Sequence, residues 1–175
     1  EKSTKAFQAL KEALVSPPIL AYPAPEGKYY LTTDASKWAI SGILSQEQQG
    51  KERVIGYFSH ALTPQECRYC TTRRELLAVV KSLKNFHHLV YGLSEPLTVR
   101  TDHASLVWAT RFRNPEDQMS RWLITLGMYN LNITFIPGKF NTAADGLSRI
   151  PCGPCKSCQA KAEKDKMARC CSISS

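Results

Sequence analysis

The chain has 175 residues, of which 43% are hydrophobic and 22% charged, and these proportions fit one globular domain with short extensions. No apolar run approaches the roughly 18 residues of a membrane-spanning helix, which excludes that class of protein at the level of the sequence. The formal net charge of +8 is explained about equally well by a polyanionic partner and by ordinary solubility.

The N-terminal segment predicts a helix followed by an irregular connection. Ser3 can cap the helix, Pro17 ends it, and the prolines and glycine of residues 19–28 indicate a segment without regular structure. Because the chain begins with Glu1, we interpret it as a piece of a longer protein. Residues 1–26 are then the remnant of a preceding domain; an ordinary N-terminal helix of the same fold is the alternative.

The next part of the chain predicts three strands in succession. Aromatic and β-branched residues alternate with polar ones, and Gln48–Lys51 supplies a turn. Connections this short predict antiparallel neighbours. The strands are expected at 29–34, 38–45 and 53–59.

Helices and strands alternate in the remainder of the domain. Leucine and valine recur at helical spacing after Thr71, and Gly92 lies where a left-handed helix cap is expected. The whole order predicts an α/β fold with a mixed five-stranded sheet flanked by helices. Trp38, Trp108 and Trp122 are expected in its core. The remaining elements are predicted as helices at 72–89, 104–112, 118–129 and 142–148 and strands at 97–102 and 131–136.

The last 25 residues differ from the rest in composition. Residues 27–150 form the predicted main domain, and residues 151–175 are a flexible, Cys- and Lys-rich linker. An odd total of seven cysteines argues against a disulfide framework and favours a reducing, intracellular setting. The tail spacing also allows a zinc site, which is the weaker interpretation. Its ligands would be Cys152, Cys155, Cys158 and Cys170.

Four acidic residues are the candidates for a catalytic or metal-binding site. Asp34 interrupts a β-rich run, and a buried charge is costly unless it is paired or bound to a metal. Asp102 ends another β-rich run, Glu75 lies near the start of the long helix, and Asp145 lies in the last helix. Each has an ordinary explanation on its own, such as a helix cap or a charge that complements a helix dipole.

A single shared site explains the four acids better than four separate roles do. If the first and fourth strands are neighbours, Asp34 and Asp102 lie side by side, and their mutual repulsion requires neutralisation. Mg²⁺ or Mn²⁺ prefers carboxylate oxygens, and four carboxylates suit two ions about 3.5–4 Å apart, the arrangement for in-line attack on a phosphodiester. The sequence therefore predicts a two-metal phosphodiester hydrolase.

The sequence resembles the ribonuclease H domain of Ty3/gypsy-type long-terminal-repeat retrotransposon polyproteins. The resemblance implies a ribonuclease H-like fold, with Asp34, Glu75, Asp102 and Asp145 holding two Mg²⁺ to cut the RNA strand of an RNA–DNA hybrid. It also implies polymerase and integrase regions in the same polyprotein, located in a cytoplasmic virus-like particle or in the nucleus. The motifs that carry it are TDAS at 33–36, ALTPQE at 61–66, TTRRELLAVV at 71–80, LTVRTDHASL at 97–106 and IPGKFNTAADGLSRIP at 136–151.

Several residues near these motifs are candidates for contact with the hybrid. Selecting RNA requires contact with 2′-hydroxyl groups, and basic side chains hold phosphates, although a solvated surface explains the basic residues equally well. The candidates are Ala35, Ser36, Thr72, Arg73, Arg74, Ser105, Lys139 and Asn141.

The sequence differs from cellular ribonucleases H in two features that bear on activity. The loop before Asp145 lacks the histidine that those enzymes carry, and no extra basic helix is present to grip a hybrid. We therefore expect weak hybrid binding by the isolated domain. The alternative function is a catalytically silent ribonuclease H-like module that serves as a tether or a nucleic-acid-binding surface.

Overall fold

The computed structural model describes residues 2–15, 20–106 and 117–149. Within them, five strands form one mixed sheet in the order β3-β2-β1-β4-β5. The first three strands are antiparallel neighbours, as predicted, and β4 and β5 run parallel to β1, which makes the sheet mixed. The strands are β1 (Tyr29–Ala35), β2 (Ala39–Gln48), β3 (Lys51–Ala61), β4 (Leu97–Thr101) and β5 (Leu131–Phe135).

Helices lie on both faces of this sheet. The main core packs leucines and valines of the long helix, such as Leu76 and Leu83, on Leu31 and Val99 of the central strands. The last helix, Thr142–Ser148, packs on the opposite face, where the hydroxyl of Ser41 donates to the carbonyl of Ala144 at 2.7 Å. The helices are α1 (Lys2–Val15), α2 (Thr71–Asn85), α3 (His87–Val90), α4 (Asp117–Gly127) and α5 (Thr142–Ser148).

The predicted elements differ from the structure mainly at their ends. The helix predicted at 72–89 divides into α2 and α3, because Phe86 leaves the helical conformation between them. Gly92 follows with φ +75°, in the left-handed region that was predicted for it. Of the helix predicted at 104–112, only a turn at 104–106 lies within the described residues.

Trp38 is not a core residue, contrary to the prediction. Its side chain is 43% exposed at the turn between β1 and β2. Trp122 does pack against the core from α4, and Trp108 lies outside the described residues. Trp38 lies in the turn beyond Ala35 and Ile40, the last residues that pair between the two strands.

The segment before β1 is hydrogen-bonded to the sheet. The side-chain amide of buried Gln46 accepts from the backbone N–H of Ala24 at 2.8 Å and donates to the carbonyls of Ala24 and Glu26. Ala21 donates to the carbonyl of Val54 at 2.8 Å. These bonds anchor residues 21–26 to β2 and β3, whereas the domain boundary at residue 26 stays a prediction.

Replacing Gly42 by Ala is expected to destabilise the fold by about 1–3 kcal/mol. A Cβ atom at this position in β2 would lie 2.2 Å from the Oγ atom of buried Ser82, so α2 would have to move. Urea unfolding of both proteins measures the difference. Gly127→Ala is the control, because a Cβ atom there has no neighbour within 4 Å. Equal changes at both positions would contradict the predicted clash.

Candidate active site

Two carboxylates meet at the ends of two neighbouring strands. Thr32 of β1 pairs with Arg100 of β4, and the strands are parallel, so Asp34 and Asp102 stand opposite each other two residues further on. Glu75 reaches the same point from α2, which packs on β1. One oxygen from each of Asp34, Glu75 and Asp102 lies within 4.8 Å of the other two. The predicted proximity of the first and fourth strands is confirmed.

Burial makes negative charge costly in this cluster. The side chains of Asp34 and Glu75 are only 6% and 4% exposed. Burial first, and then the charges of Asp34 and Asp102, raise the pKa of Glu75 from 4.5 to about 8. The pKa of Asp34 is also raised, again chiefly by burial, against the lowering effect of a hydrogen bond from Ser148. The metal-free cluster therefore holds a proton near neutral pH.

Glu75 lies deeper in its helix than predicted. Because α2 begins at Thr71, Glu75 is one turn in and is not a first-turn acid that complements the helix dipole. Its Oε2 atom is buried without a hydrogen-bond partner among the described residues. An unpartnered oxygen beside two other carboxylates is the donor set that a hard divalent cation takes. The residues present thus fit a Mg²⁺ or Mn²⁺ ion.

Asp145 does not join this cluster in the structure. Its carboxylate is held by Arg149 one turn later in the chain, with Nε–Oδ2 at 2.7 Å and Nη2–Oδ1 at 2.5 Å. Its charge nevertheless raises the pKa of Asp34, so the two groups are within electrostatic range. The structure therefore brings together three of the four predicted acids and leaves the fourth paired at the edge of the site.

A serine that the sequence did not single out contacts the site directly. The hydroxyl of Ser148, at the end of α5, donates to the carboxylate of Asp34. The hydroxyl of Ser36 in turn donates to the carbonyl of Ser148 at 2.7 Å. The two serines hold α5 against β1, and 114 residues separate Ser148 from Asp34, so no local pattern could have indicated the contact.

The candidates for nucleic-acid contact are at least partly exposed, with one exception. Asn141 is 1% exposed, and its amide donates to the carbonyl of Thr33 at 3.1 Å. Its side chain supports the loop before α5 from inside and is therefore not a candidate for direct contact with a hybrid. Ser105 and Lys139 are exposed, whereas Ala35, Ser36, Thr72 and Arg73 are half-buried.

Arg74 and Gly138 border the carboxylates on two sides. The guanidinium group of Arg74 donates to the carbonyl of Ser36 at 2.8 Å, and its charge lowers the pKa of Glu75. Arg74 is therefore part of the site's framework. A Cβ atom at Gly138 would lie 3.2 Å from Oδ2 of Asp102, so the loop after β5 rests closely on that carboxylate. The predicted zinc ligands Cys152, Cys155, Cys158 and Cys170 lie outside the described residues.

This sheet order, with carboxylates at the adjoining ends of β1 and β4, defines a ribonuclease H-like domain. Residues 1–99 match the family described as the RNase H-like domain found in reverse transcriptase. The chain is 42% identical over 151 residues to the retrovirus-related Pol polyprotein from transposon opus of Drosophila melanogaster, covering 86% of this chain and 15% of that protein. It is 37% identical over 150 residues to the transposon Tf2-3 polyprotein of Schizosaccharomyces pombe, covering 84% and 11%.

Solved structures with the same fold include a viral and a cellular-type protein. The foamy viral protease-reverse transcriptase superposes with a TM-score of 0.61 at 18% identity, over 78% of this chain and 26% of that chain. LC11-RNase H1, solved with an RNA/DNA hybrid, superposes with a TM-score of 0.55 at 16% identity, over 69% and 93%. The chain belongs to the RNase H-like domains of reverse transcriptases, and its relatives are Pol polyproteins of Ty3/gypsy-type retrotransposons.

The chain spans only a small part of the polyproteins that it matches, 15% and 11% of the two above. Among the described residues, no helix is both long and apolar enough to cross a membrane.

Proposed function

We propose that this domain is a metal-dependent endonuclease that hydrolyses the RNA strand of RNA–DNA hybrids during reverse transcription of a retroelement. The observation that carries the proposal is the cluster of Asp34, Glu75 and Asp102, with an unpartnered buried oxygen on Glu75. Among the described residues, Arg74 acts on Glu75 and Arg149 acts on Asp34, and the pKa values of both acids stay raised in spite of these charges. A bound divalent cation is the neutraliser that the oxygen donors favour.

The roles of the residues follow from their positions. Asp34, Glu75 and Asp102 would hold the ions, and Asp145 would join them on leaving Arg149. Two bound Mg²⁺, or Mn²⁺ in their place, would supply an activated water and stabilise the leaving 3′ oxygen. Ser148 orients the carboxylate of Asp34, and the buried floor of the site keeps the carboxylates in place for in-line attack.

The proposed substrate is an RNA–DNA hybrid, and the proposed partners are the polymerase and integrase regions of the same polyprotein. One foamy viral reverse transcriptase that shares the fold was solved in complex with an RNA/DNA hybrid, as was LC11-RNase H1. The proposed hybrid contacts are at least partly exposed residues in or near the segments that carry the acids. They are Ala35, Ser36, Thr72, Arg73, Ser105 and Lys139.

Substrate class and metal dependence test the proposal together. The fragment is incubated with end-labelled RNA–DNA hybrid, RNA duplex and DNA duplex of one sequence, in Mg²⁺, in Mn²⁺ and in chelator. We expect internal cuts in the RNA strand of the hybrid alone, and none in chelator. Equal cutting of the RNA duplex, or cutting that survives the chelator, would contradict the proposal.

The ion pair of Asp145 is the observation that favours the catalytically silent alternative. An acid already neutralised by Arg149 is unavailable to a second ion until the pair opens. A fragment that binds hybrid but cuts none in either metal would support the silent module.

Replacing Arg149 by Gln is expected to tighten binding of Mn²⁺ by about three- to tenfold. The pair is largely exposed, so its loss costs little stability, but its removal frees Asp145 for a cation. Isothermal titration of the metal into both proteins measures the change. Arg121→Gln on α4 is the control for simple loss of one positive charge. If Mn²⁺ binding tightened equally in both variants, the cause would be the general loss of positive charge, which would contradict competition between Arg149 and the metal ion for Asp145.

A further inference from the structure

Two loops beside the carboxylates each carry a lysine next to an exposed aromatic ring. The Nζ atom of Lys37 lies 4.9 Å from the ring centroid of Trp38, in the turn between β1 and β2. The Nζ atom of Lys139 lies 4.9 Å from the ring centroid of Phe140, in the loop between β5 and α5. Trp38 is 43% exposed and Phe140 is 70% exposed. The arrangement is therefore repeated at two separate points of the chain.

Both loops adjoin the strand ends that carry the acidic cluster. In the sheet order, β2 flanks β1 on one side, and β5 flanks β4 on the other. The backbone N–H of Trp38 donates to the hydroxyl of Ser36 at 3.1 Å, which fixes the first turn beside the end of β1. Gly138 rests on Asp102 and fixes the start of the second loop beside the end of β4. The first loop thus follows directly after the strand of Asp34, and the second contacts Asp102.

Neither pair has a structural partner that explains it. Trp38 and Phe140 belong to neither of the two hydrophobic core groups of the described residues. Within the same part of the chain, neither Lys37 nor Lys139 lies within ion-pair distance of a carboxylate. Exposed rings and uncompensated positive charges beside a strongly acidic site point to a ligand that presents both phosphates and apolar surface.

We propose that these two pairs form a two-sided nucleic-acid grip, with Lys37–Trp38 on one side of the carboxylates and Lys139–Phe140 on the other. The ammonium groups would contact phosphates, and the ring faces would pack on sugars and bases. The grip would hold the backbone on either side of the phosphate to be cut. The inference rests on the proposed function, because it assigns a nucleic acid to that same site.

The salt dependence of hybrid binding distinguishes the contribution of each lysine from that of the neighbouring aromatic ring. Binding of a fluorescent RNA–DNA hybrid is followed by anisotropy over a range of salt concentrations, in chelator and on an Asp102→Asn background, so that nothing is cut. Trp38→Ala and Phe140→Ala are each expected to weaken binding about fivefold with an unchanged salt slope. Lys37→Gln and Lys139→Gln are each expected to reduce the slope of log affinity against log salt by about one.

The chain offers a matched control on α1. The Nζ atom of Lys11 lies 5.8 Å from the ring centroid of Phe7, which is 63% exposed. Phe7→Ala and Lys11→Gln are expected to leave both affinity and slope unchanged. Thermal unfolding of every variant checks that the fold is retained.

The binding experiment tests the proposed grip independently of the proposed nuclease activity. Unchanged binding in the four loop variants, or losses equal to those of the α1 variants, would overturn the grip, even if the parent protein cleaves hybrid. Localised losses in the loop variants would support the grip, even if the parent protein cleaves nothing. Weakening confined to one loop would overturn the two-sided arrangement.

Discussion

Replacing Asp102 by Asn is expected to lower the rate of hybrid cleavage about 10³-fold. The substitution keeps the shape of the side chain but removes one carboxylate from the cluster of three acids. Groups that stabilise charge in the transition state typically contribute two to three orders of magnitude in rate. Single-turnover cleavage of labelled hybrid in Mg²⁺ measures the effect on the chemical step.

Glu95→Gln is the matched control for this substitution. Glu95 is an exposed carboxylate in the connection before β4, away from the cluster, and its loss is expected to leave the rate within about twofold. Asp102→Asn should still bind hybrid in chelator. Cleavage retained in Asp102→Asn, or lost equally in Glu95→Gln, would remove the cluster from the mechanism.

Replacing Glu75 by Gln is expected to stabilise the metal-free protein, and increasingly so as the pH rises. In the unfolded chain Glu75 loses its proton near its ordinary pKa of 4.5, whereas burial holds the folded pKa at about 8. Between these values the folded state binds the extra proton, so the wild-type stability falls by about 1.4 kcal/mol per pH unit. The loss reaches on the order of 5 kcal/mol above pH 8, whereas Gln does not titrate.

Saturating Mg²⁺ should reverse the order of stability. A cation favours the ionised carboxylate and stabilises the folded state that binds it, so the wild type then gains more than Glu75→Gln. Urea unfolding at pH 5, 7 and 9, with chelator or with Mg²⁺, measures both effects. A difference between the two proteins that is independent of pH in chelator would contradict the raised pKa, and the same order with and without Mg²⁺ would contradict a metal centre.

The fold could be predicted because its signals are local. The alternating strand pattern before residue 60, the turn at Gln48–Lys51 and the leucine spacing of α2 each depend on residues a few positions apart. Short connections then required antiparallel pairing. Where a local signal misled, tertiary context explains it: Trp38 has a large apolar side chain typical of a core, but it lies in an exposed turn beyond the paired strands.

The sequence by itself determined the class of fold, and it predicted the grouping of Asp34, Glu75 and Asp102, because an acid in a β-rich run is costly without a cation. Only the tertiary structure decided how the acids are partnered. It paired Asp145 with Arg149, placed Ser148 on Asp34 and turned Asn141 inward. The Asp145–Arg149 pair lies within one helical turn. The contacts of Ser148 and Asn141 depend instead on how the segment around α5 packs on β1, and packing between segments more than 100 residues apart is set by the shape of the assembled core.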